Sequence, residues 1–419
     1  MRLARIYIPA LLMLTLHLPA QVSTDSVLRR QDRTIKEHDR LIQGVLDSLK
    51  KIKIQVSRLG EDLTFTGTSA ISRTERMIEE PRLTIGGYVS AYYAHYSDSS
   101  GYNSFQKFPT AAPRSDAFAL NLVQLSTKYS SRHVRAIATF HYGDMPLSVW
   151  SPVFNYIQEA NAGIRIHNRF WIDAGLFRTH IGLESIQPRE NITTGLSIVT
   201  FNDPYYLAGA KLSFLATDKL ILQVNAFNSY NGFTENNKKK AWGFSALYDV
   251  SSRLTLAFNT LWNDDAADTA RLAKGRLYND FYMVYKTSRL VFGLEANYGL
   301  QQNTQLNSAN PQGHTAQMFS IQAAAKCKLI EKLYAYGKLE YYDDADEMMS
   351  GPILDNRHQY VDLKIGGATL GLEWKPVGNA YLRLESRALK TADGEEIFRL
   401  NGAASDMRYE VISELGVWF

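Results

Sequence analysis

The chain has 419 residues, of which 12% are aromatic, a single cysteine, Cys327, and a formal net charge of +4. One cysteine excludes an intrachain disulfide framework and a cysteine-based metal site. The charge is close to neutral and no face is dense in lysine and arginine, so nucleic acid is excluded as an expected partner.

The first twenty residues predict a secretory signal peptide. Arg2 and Arg5 precede an apolar run from Ile6 to Leu18, and we expect Ala20 to be the last residue before cleavage. The run is too short and wrongly flanked for a membrane-spanning helix, and a buried N-terminal helix is the alternative. Removing 1–20 takes away two arginines and no acid, which leaves a formal charge of about +2.

Residues 21–60 predict a periplasmic coiled-coil helix, followed by a linker over 61–81. One apolar position recurs every seven residues, at Leu28, Ile35, Ile42, Leu49 and Val56. Such a heptad seam needs partner helices, so we expect a homo-oligomer. A lone amphipathic helix lying against another part of the chain is the alternative.

Residues 82–419 predict an outer-membrane β-barrel. Strands of about ten residues, the length that a tilted strand needs to cross a bilayer, alternate with connections that are short and long in turn. The fold class is therefore all-β, a transmembrane antiparallel β-barrel of about sixteen strands with an N-terminal helical coiled-coil segment. Both termini are expected on the periplasmic side. A soluble sandwich or propeller is the alternative, but neither keeps loop lengths alternating.

Period-two alternation separates a lipid-facing set from a lumen-facing set of side chains. The first two strands are expected to present to lipid Leu83, Ile85, Val89, Ala91, Phe118, Leu120 and Leu122. The opposite face carries charges of both signs, which would cost roughly 2–4 kcal/mol for each Arg or Lys at the membrane midplane. The predicted lumen-facing set is Arg135, Thr139, His141, Glu159, Asn161, Arg165, Asp173, Lys211, Gln223, Asn225, Asn259, Glu295, Asn297, Lys338, Glu340, Glu373, Arg383, Glu385, Arg387, Arg408, Glu410 and Glu414. Sixteen strands leave room for an aqueous channel, so small polar solutes and ions are the expected cargo.

The connection over 181–204 differs from the other long loops, because it keeps no period and yet is apolar. It contains Ile186, Ile192, Leu196, Ile198, Val199 and Phe201, and long loops that pack are usually functional. We expect it to fold into the barrel, so that Arg178, Glu184, Arg189 and Glu190 form a pore constriction with Arg383, Glu385 and Arg387. The alternatives are a loop packed outside on the rim, and a structural role for Glu184 as a carboxylate bonded to loop amides.

The stretch from Gly175 to Phe214, with Ile181-Gly182-Leu183-Glu184 at its centre, resembles the OmpL-like β-barrel porins of Bacteroidetes. More distantly it is similar to the phosphate-selective porins O and P, which also carry a coiled coil before the barrel. The resemblance implies a diffusion pore that assembles as a trimer, and in general porins the third long loop narrows the channel. Phosphate selectivity is not implied, since the lining lacks their dense arginine ladder and lysine cluster.

The C-terminal strand is expected to place Val411, Leu415, Val417 and Phe419 on the lipid face. An aromatic C-terminal strand looks like the signal that barrel-assembly machinery reads. That machinery, the lipid bilayer and its lipopolysaccharide are the other expected partners.

No motif predicts an enzyme, a cofactor or a metal. His141 and His180 have no G-x-S-x-G or H-E-x-x-H string nearby. The acidic run Asp343, Asp344, Asp346 and Glu347 could offer oxygens to Ca²⁺, but its spacing does not fit an EF-hand loop. The sequence therefore favours a porin, with an anion- or phosphate-preferring porin and a non-conducting surface-binding barrel as alternatives.

Overall fold

A computed structural model describes residues 32–47, 81–98, 104–108, 111–233, 235, 237–270, 272–304 and 313–419. The chain divides into two compact units, Met1–Glu61 and Asp62–Phe419. In the first unit, residues 32–47 form helix α1, whose side chains are all exposed. The signal peptide, most of the predicted coiled coil and all but the last residue of the linker lie outside the described residues.

Sixteen antiparallel strands of the second unit close into a barrel in chain order, as predicted. Their bounds are β1 Arg82–Tyr96, β2 Ala117–Ser130, β3 Val134–Tyr142, β4 Ile157–His167, β5 Phe170–Arg178, β6 Tyr206–Leu215, β7 Leu220–Phe227, β8 Ala241–Asp249, β9 Leu254–Asp264, β10 Gly275–Lys286, β11 Leu290–Thr304, β12 His314–Ile330, β13 Leu333–Asp344, β16 Leu363–Trp374, β17 Ala380–Thr391 and β20 Met407–Trp418. Strand β20 pairs with β1, and Phe419 extends the closure by donating its amide to the Gly87 carbonyl at 3.1 Å. A closed sheet satisfies every strand's backbone in lipid without an open edge.

The long connections carry the remaining elements, and the short turns carry none. These elements are α2 Asp144–Val149, a 3-10 turn at Pro188–Glu190, α3 Ile198–Asn202, and the hairpins β14 Ile353–Leu354 with β15 Tyr360–Val361 and β18 Phe398–Leu400 with β19 Ala403–Ser405. Among the described residues, no helix has both the length and the apolarity needed to cross a membrane.

On the first two strands, the side chains predicted to face lipid do so, with one exception. Leu83, Ile85 and Phe118 are exposed on the outer surface, but Leu122 is fully buried on the inner face. The prediction for Leu122 was wrong because β2 contains a bulge, where Ser90 pairs with Leu122 and Ala91 with Leu120. The extra residue reverses the alternation.

The inner face of the barrel is far less hydrated than the width of the barrel alone suggests. Arg383, Arg387 and Arg408 are among the largest side chains that are almost completely buried. Glu385, Glu410 and Glu414 are buried with them. Because charged groups are rarely buried unless they are paired, something must cover and bind this part of the wall.

Candidate functional site: the inner loop

The loop that covers the wall is residues 179–205, here called the inner loop, which joins β5 to β6. Its apolar side chains Ile186, Ile192, Leu196, Ile198 and Val199 are all buried. They pack against inward-facing side chains of distant strands, among them Tyr88, Tyr336, Tyr342, Tyr381 and Leu389. The inner loop therefore lies within the lumen and not outside on the rim.

Glu385 on β17 holds the centre of the inner loop through the backbone. Its two carboxylate oxygens accept the amides of Thr194 at 2.7 Å and Gly195 at 2.9 Å. The neighbouring Glu414 on β20 accepts the Thr194 hydroxyl at 3.0 Å. A buried amide without a partner is costly, so these carboxylates allow loop backbone to lie inside the barrel.

Arg383 performs the complementary role for loop carbonyls. Its guanidinium donates to the carbonyls of Pro188 at 2.8 Å, Thr193 at 3.1 Å and Asn191 at 3.0 Å. Its Nε donates to Glu373 at 2.7 Å. The planar guanidinium has five N–H donors, which suits binding to several acceptors at once. Arg383 therefore connects the wall to the loop.

Glu184 is bound on both sides, by the wall and by its own loop. Lys338 on β13 donates to Oε1 at 2.9 Å, while the amide and hydroxyl of Ser197 donate to Oε2 at 2.7 and 2.8 Å. Burial opposes ionisation, but Lys338 and the Ser197 donors outweigh it and hold the pKa of Glu184 below its ordinary value. Glu184 is thus an ionised structural carboxylate that closes the loop on itself.

Helix α3 is anchored at its first residue. The Ile198 amide donates to Glu340 Oε2 at 2.8 Å, and Glu340 Oε1 accepts from Arg387 at 2.6 Å. Ser197 caps the helix by accepting the Thr200 amide, as N-cap serines do. Arg387 therefore acts on the loop through Glu340.

A cluster of carboxyl groups lies where the inner loop begins and ends. The Gly182 amide donates to Asp280 at 3.0 Å, and a Cβ at Gly182 would lie 3.2 Å from Asp203 Oδ2 and 3.7 Å from Glu295. Gly182 has φ +92°, which L side chains rarely adopt. Tyr278 donates to Asp203 at 2.6 Å, but the other Asp203 oxygen has no hydrogen-bond partner. Burial raises the pKa of Asp203 well above its ordinary value, so the group favours its neutral form.

Three charges remain part-exposed on the side of the inner loop that faces away from the anchors: Arg178 at the end of β5, and Arg189 and Glu190 in the loop. Arg178 pairs with Glu190 at 2.8 Å, and Arg189 donates to Gln187 while lying over the rings of Tyr88 and Trp418. The inner faces of β2, β3 and β4 also keep part-exposed polar side chains, Lys128, Arg135, Glu159, Asn161 and Arg165. Polar groups that still reach water mark this side as the hydrated part of the lumen.

The seven residues predicted from the sequence are thus divided between two places. Arg383, Glu385, Arg387 and Glu184 are buried in contacts that hold the loop. Arg189 and Glu190 in the loop and Arg178 at the end of β5 are part-exposed. Sequence reasoning assigned Lys338, Glu340, Glu373 and Glu414 only to the general lining, and it missed Asp203 and Asp280. Alternation predicts that a side chain faces inward, but no local signal predicts which loop atom it binds.

The histidine and the acidic run singled out in the sequence have structural surroundings. His180 lies 3.1 Å from the Thr260 carbonyl, and burial lowers its pKa to about 3, which keeps the ring neutral. Asp344 accepts the amides of Met348, Met349 and Ser350 at 2.7–2.9 Å. Among the described residues, no group of three or more His, Cys, Asp or Glu side chains could hold a metal ion.

A closed barrel of sixteen antiparallel strands whose third long loop folds into the lumen is the architecture of a porin. The family described as "Putative beta-barrel porin-2, OmpL-like" matches residues 82–417, and the chain belongs to this family of outer-membrane porins. The predicted OmpL-like relationship and the location in the bacterial outer membrane are confirmed. The link to Bacteroidetes and to phosphate-selective porins stays a prediction.

Solved porins share the fold at low sequence identity. The anion-selective porin from Comamonas acidovorans has a TM-score of 0.53 at 10% identity, over 81% of this chain and 100% of its own. The channel DcaP of Acinetobacter baumannii gives 0.53 at 12%, over 81% and 97%. The trimer form of OmpT of Vibrio cholerae gives 0.53 at 10%, over 81% and 100%. Among curated proteins, no sequence matches this chain.

Proposed function

We propose that the protein gives passive diffusion to small polar solutes and ions, and that the inner loop forms the constriction. The observation that carries the proposal is the asymmetry of the lumen. Glu385, Arg383 and Lys338 bind the loop to the arc of the wall formed by β13 to β17, while part-exposed charges remain along β2 to β4. The family match to channels favours a channel over an enzyme. The sequence also contains no G-x-S-x-G or H-E-x-x-H string.

Planar-bilayer conductance of the full chain tests the proposal. Deleting residues 187–191 at the loop tip should raise single-channel conductance, because the tip carries the part-exposed Arg189 and Glu190. A control deletion of residues 267–270, in the outer loop between β9 and β10, should leave conductance unchanged. A correctly folded tip deletion with unaltered conductance would show that the loop is not the constriction. A wild-type barrel that does not conduct would favour a surface-binding barrel.

A modest preference for anions is the second candidate, and one observation favours it. The part-exposed Arg178, Arg189 and Glu190 carry a net charge of +1, and Arg178 and Glu190 neutralise each other as an ion pair. A basic group in a narrow, partly desolvated pore attracts anions. Arg189→Gln should shift the reversal potential in a salt gradient towards cation preference, and Arg132→Gln, on an exposed turn outside the lumen, should not.

We infer further that the chain assembles with copies of itself, with a trimer favoured. One similar solved porin is a trimer, and the heptad seam would need partner helices. The outer surface also contains a flat row of paired alanines across β3 to β7, which would let a second barrel approach closely: Ala136, Ala162, Ala174, Ala210 and Ala226. Ala174→Trp should reduce the detergent-corrected mass, because a large side chain in the alanine row would keep a second barrel away. Leu339→Trp, at an exposed position on β13, should leave the mass unchanged.

A further inference from the structure

A cavity of about 760 Å³ lies among the long loops of the barrel, with the inner loop forming part of its wall. Four separate connections line it. They contribute Lys107 and Phe108 before β2, Phe201 and Asn202 from the inner loop, Ile353 to Asn356 and His358 before β16, and Ile397 to Arg399 before β20. Pockets for small ligands have volumes of roughly 300–1,000 Å³, so the cavity is large enough to enclose one.

The cavity has an aromatic wall. The ring of Phe108 lies 6.2 Å from the ring of Phe201 and 6.2 Å from that of Phe398, in edge-to-face arrangements. Ile353 and Ile397 extend the apolar surface. Phe108 and Phe398 are almost fully buried, so the part-exposed ring of Phe201 is the surface on which the ring or hydrocarbon body of a ligand can pack.

Hydrogen bonds within the protein connect the loops around the cavity to one another. Lys107 donates to the carbonyls of Ile397 at 2.7 Å and Leu354 at 3.3 Å. Asn356 donates to the Phe398 carbonyl at 2.5 Å. Two lining residues, Phe108 and His358, hold left-handed backbone with φ of 50° and 63°, a conformation that persists only where the surroundings enforce it. A site held in its binding conformation loses less entropy when a ligand arrives.

The lining carries Asp residues and Lys or Arg residues in equal number, and Arg399 is the basic group in position to bind a negative ligand group. One oxygen of Asp355, Oδ1, accepts the amides of Arg357 and Gln359, both at 2.8 Å. Asp98 lies beside Arg408, 3.7 Å away. The exposed Arg399 engages the neutral side chain of Asn356, 3.2 Å from its Nε. Its guanidinium has further donors, and guanidinium forks bind carboxylates bidentately.

We propose that this cavity is a capture site for small amphipathic carboxylates, with the ring or hydrocarbon body on Phe201 and the carboxylate at Arg399. This inference rests on the proposed function and adds to it a class of solute, which would be concentrated at the end of the pore where the long loops lie. Binding itself does not require conduction, so the two proposals can fail separately.

Isothermal titration calorimetry of the full chain in detergent tests the site with four small-molecule probes. Phenylacetate has both features, acetate lacks the ring, 2-phenylethanol lacks the charge and 2-phenylethylamine reverses it. Phenylacetate should bind at least about tenfold more tightly than each of the others, a difference that calorimetry resolves. Equal or undetectable binding of all four would overturn the proposal.

Two variants test which residue binds the carboxylate of the ligand and which binds its ring. Arg399→Gln should remove the advantage of phenylacetate over 2-phenylethanol, and Phe201→Ala, on a part-exposed ring, should remove its advantage over acetate. Arg357→Gln is the matched control, because Arg357 is exposed on the same loop system and pairs with Glu396 outside the lining. If Arg399→Gln bound phenylacetate as the Arg357→Gln control does, the carboxylate would not lie at Arg399. Binding without bilayer conductance would remove the pore and keep the capture site, and conductance without binding would do the reverse.

Discussion

Lys338 and Glu184 form a buried ion pair at 2.9 Å between residues 154 positions apart in the sequence. Lys338 also donates to the Gly195 carbonyl at 2.7 Å. One ammonium on β13 therefore binds two separate parts of the inner loop. The pair links the position of the constriction to the wall of the barrel.

Substituting one member of this ion pair should destabilise the folded barrel more than substituting both members. Glu184→Gln or Lys338→Met alone leaves a buried partner uncompensated, and such changes destabilise by about 3–5 kcal/mol. We expect each single variant to lower the temperature at which the folded barrel loses its fast gel migration. The double variant should recover part of the loss. Strictly additive effects would show that the two side chains act independently.

Arg383 should control how firmly the loop is held. Arg383→Met removes the donor to the Asn191 and Thr193 carbonyls, at about 1–3 kcal/mol for each buried group left unsatisfied, whereas the Pro188 carbonyl keeps the Asn191 amide and Glu373 keeps Lys326. The expected results are larger and noisier single-channel currents and faster proteolytic cleavage within residues 187–193. Arg132→Gln, at an exposed turn, is the control for charge removal. Wild-type currents from a folded Arg383→Met barrel would contradict the anchoring role.

Asp203 should make the docking of the inner loop weaken as pH rises. Burial raises the pKa of Asp203 above its ordinary value, so the docked loop binds the proton more tightly than the released loop. The stabilisation is then present below the ordinary pKa of about 3.9 and is lost as pH rises through the raised pKa. The groups that face Asp203 are Tyr278, Tyr205, Tyr230, Asp280, Glu295 and Glu184, the last paired with Lys338.

Asp203→Asn keeps the acceptor for Tyr278 and cannot ionise. Single-channel recordings across a pH series should show loop-opening events that increase with pH in the wild type and much less in the variant. An equal pH dependence in both proteins would assign the titration to another member of the cluster.

The N-terminal helix should contribute to assembly and not to the barrel. Deleting residues 25–60 should leave gel migration of the folded barrel unchanged, because the barrel closes through β1 and β20 without them. The detergent-corrected mass should fall towards that of one chain. An unchanged oligomer would show that contacts between barrels hold it together.

Much of the barrel could be predicted because its signals are local. These signals are the period-two alternation, the strand length and the regular succession of short and long connections, and each depends only on neighbouring residues. They were sufficient to predict sixteen strands and the outward-facing Val411, Leu415, Val417 and Phe419. The apolar residues of the inner loop likewise predicted that it packs, since exposed Ile192 and Leu196 would be unfavourable in water.

The tertiary structure alone decided which atoms meet. Leu122 faces inward because a single extra residue in β2 shifts the pairing with β1. Glu184 meets Lys338, and Asp203 meets Tyr278, between an inner-loop residue and a distant strand and not along a strand. The sequence by itself determined that charged side chains such as Arg383 point into the barrel. Whether they face water or bind the inner loop depends on the path of that loop through the lumen, and the path results from long-range packing and hydrogen bonding that no local period encodes.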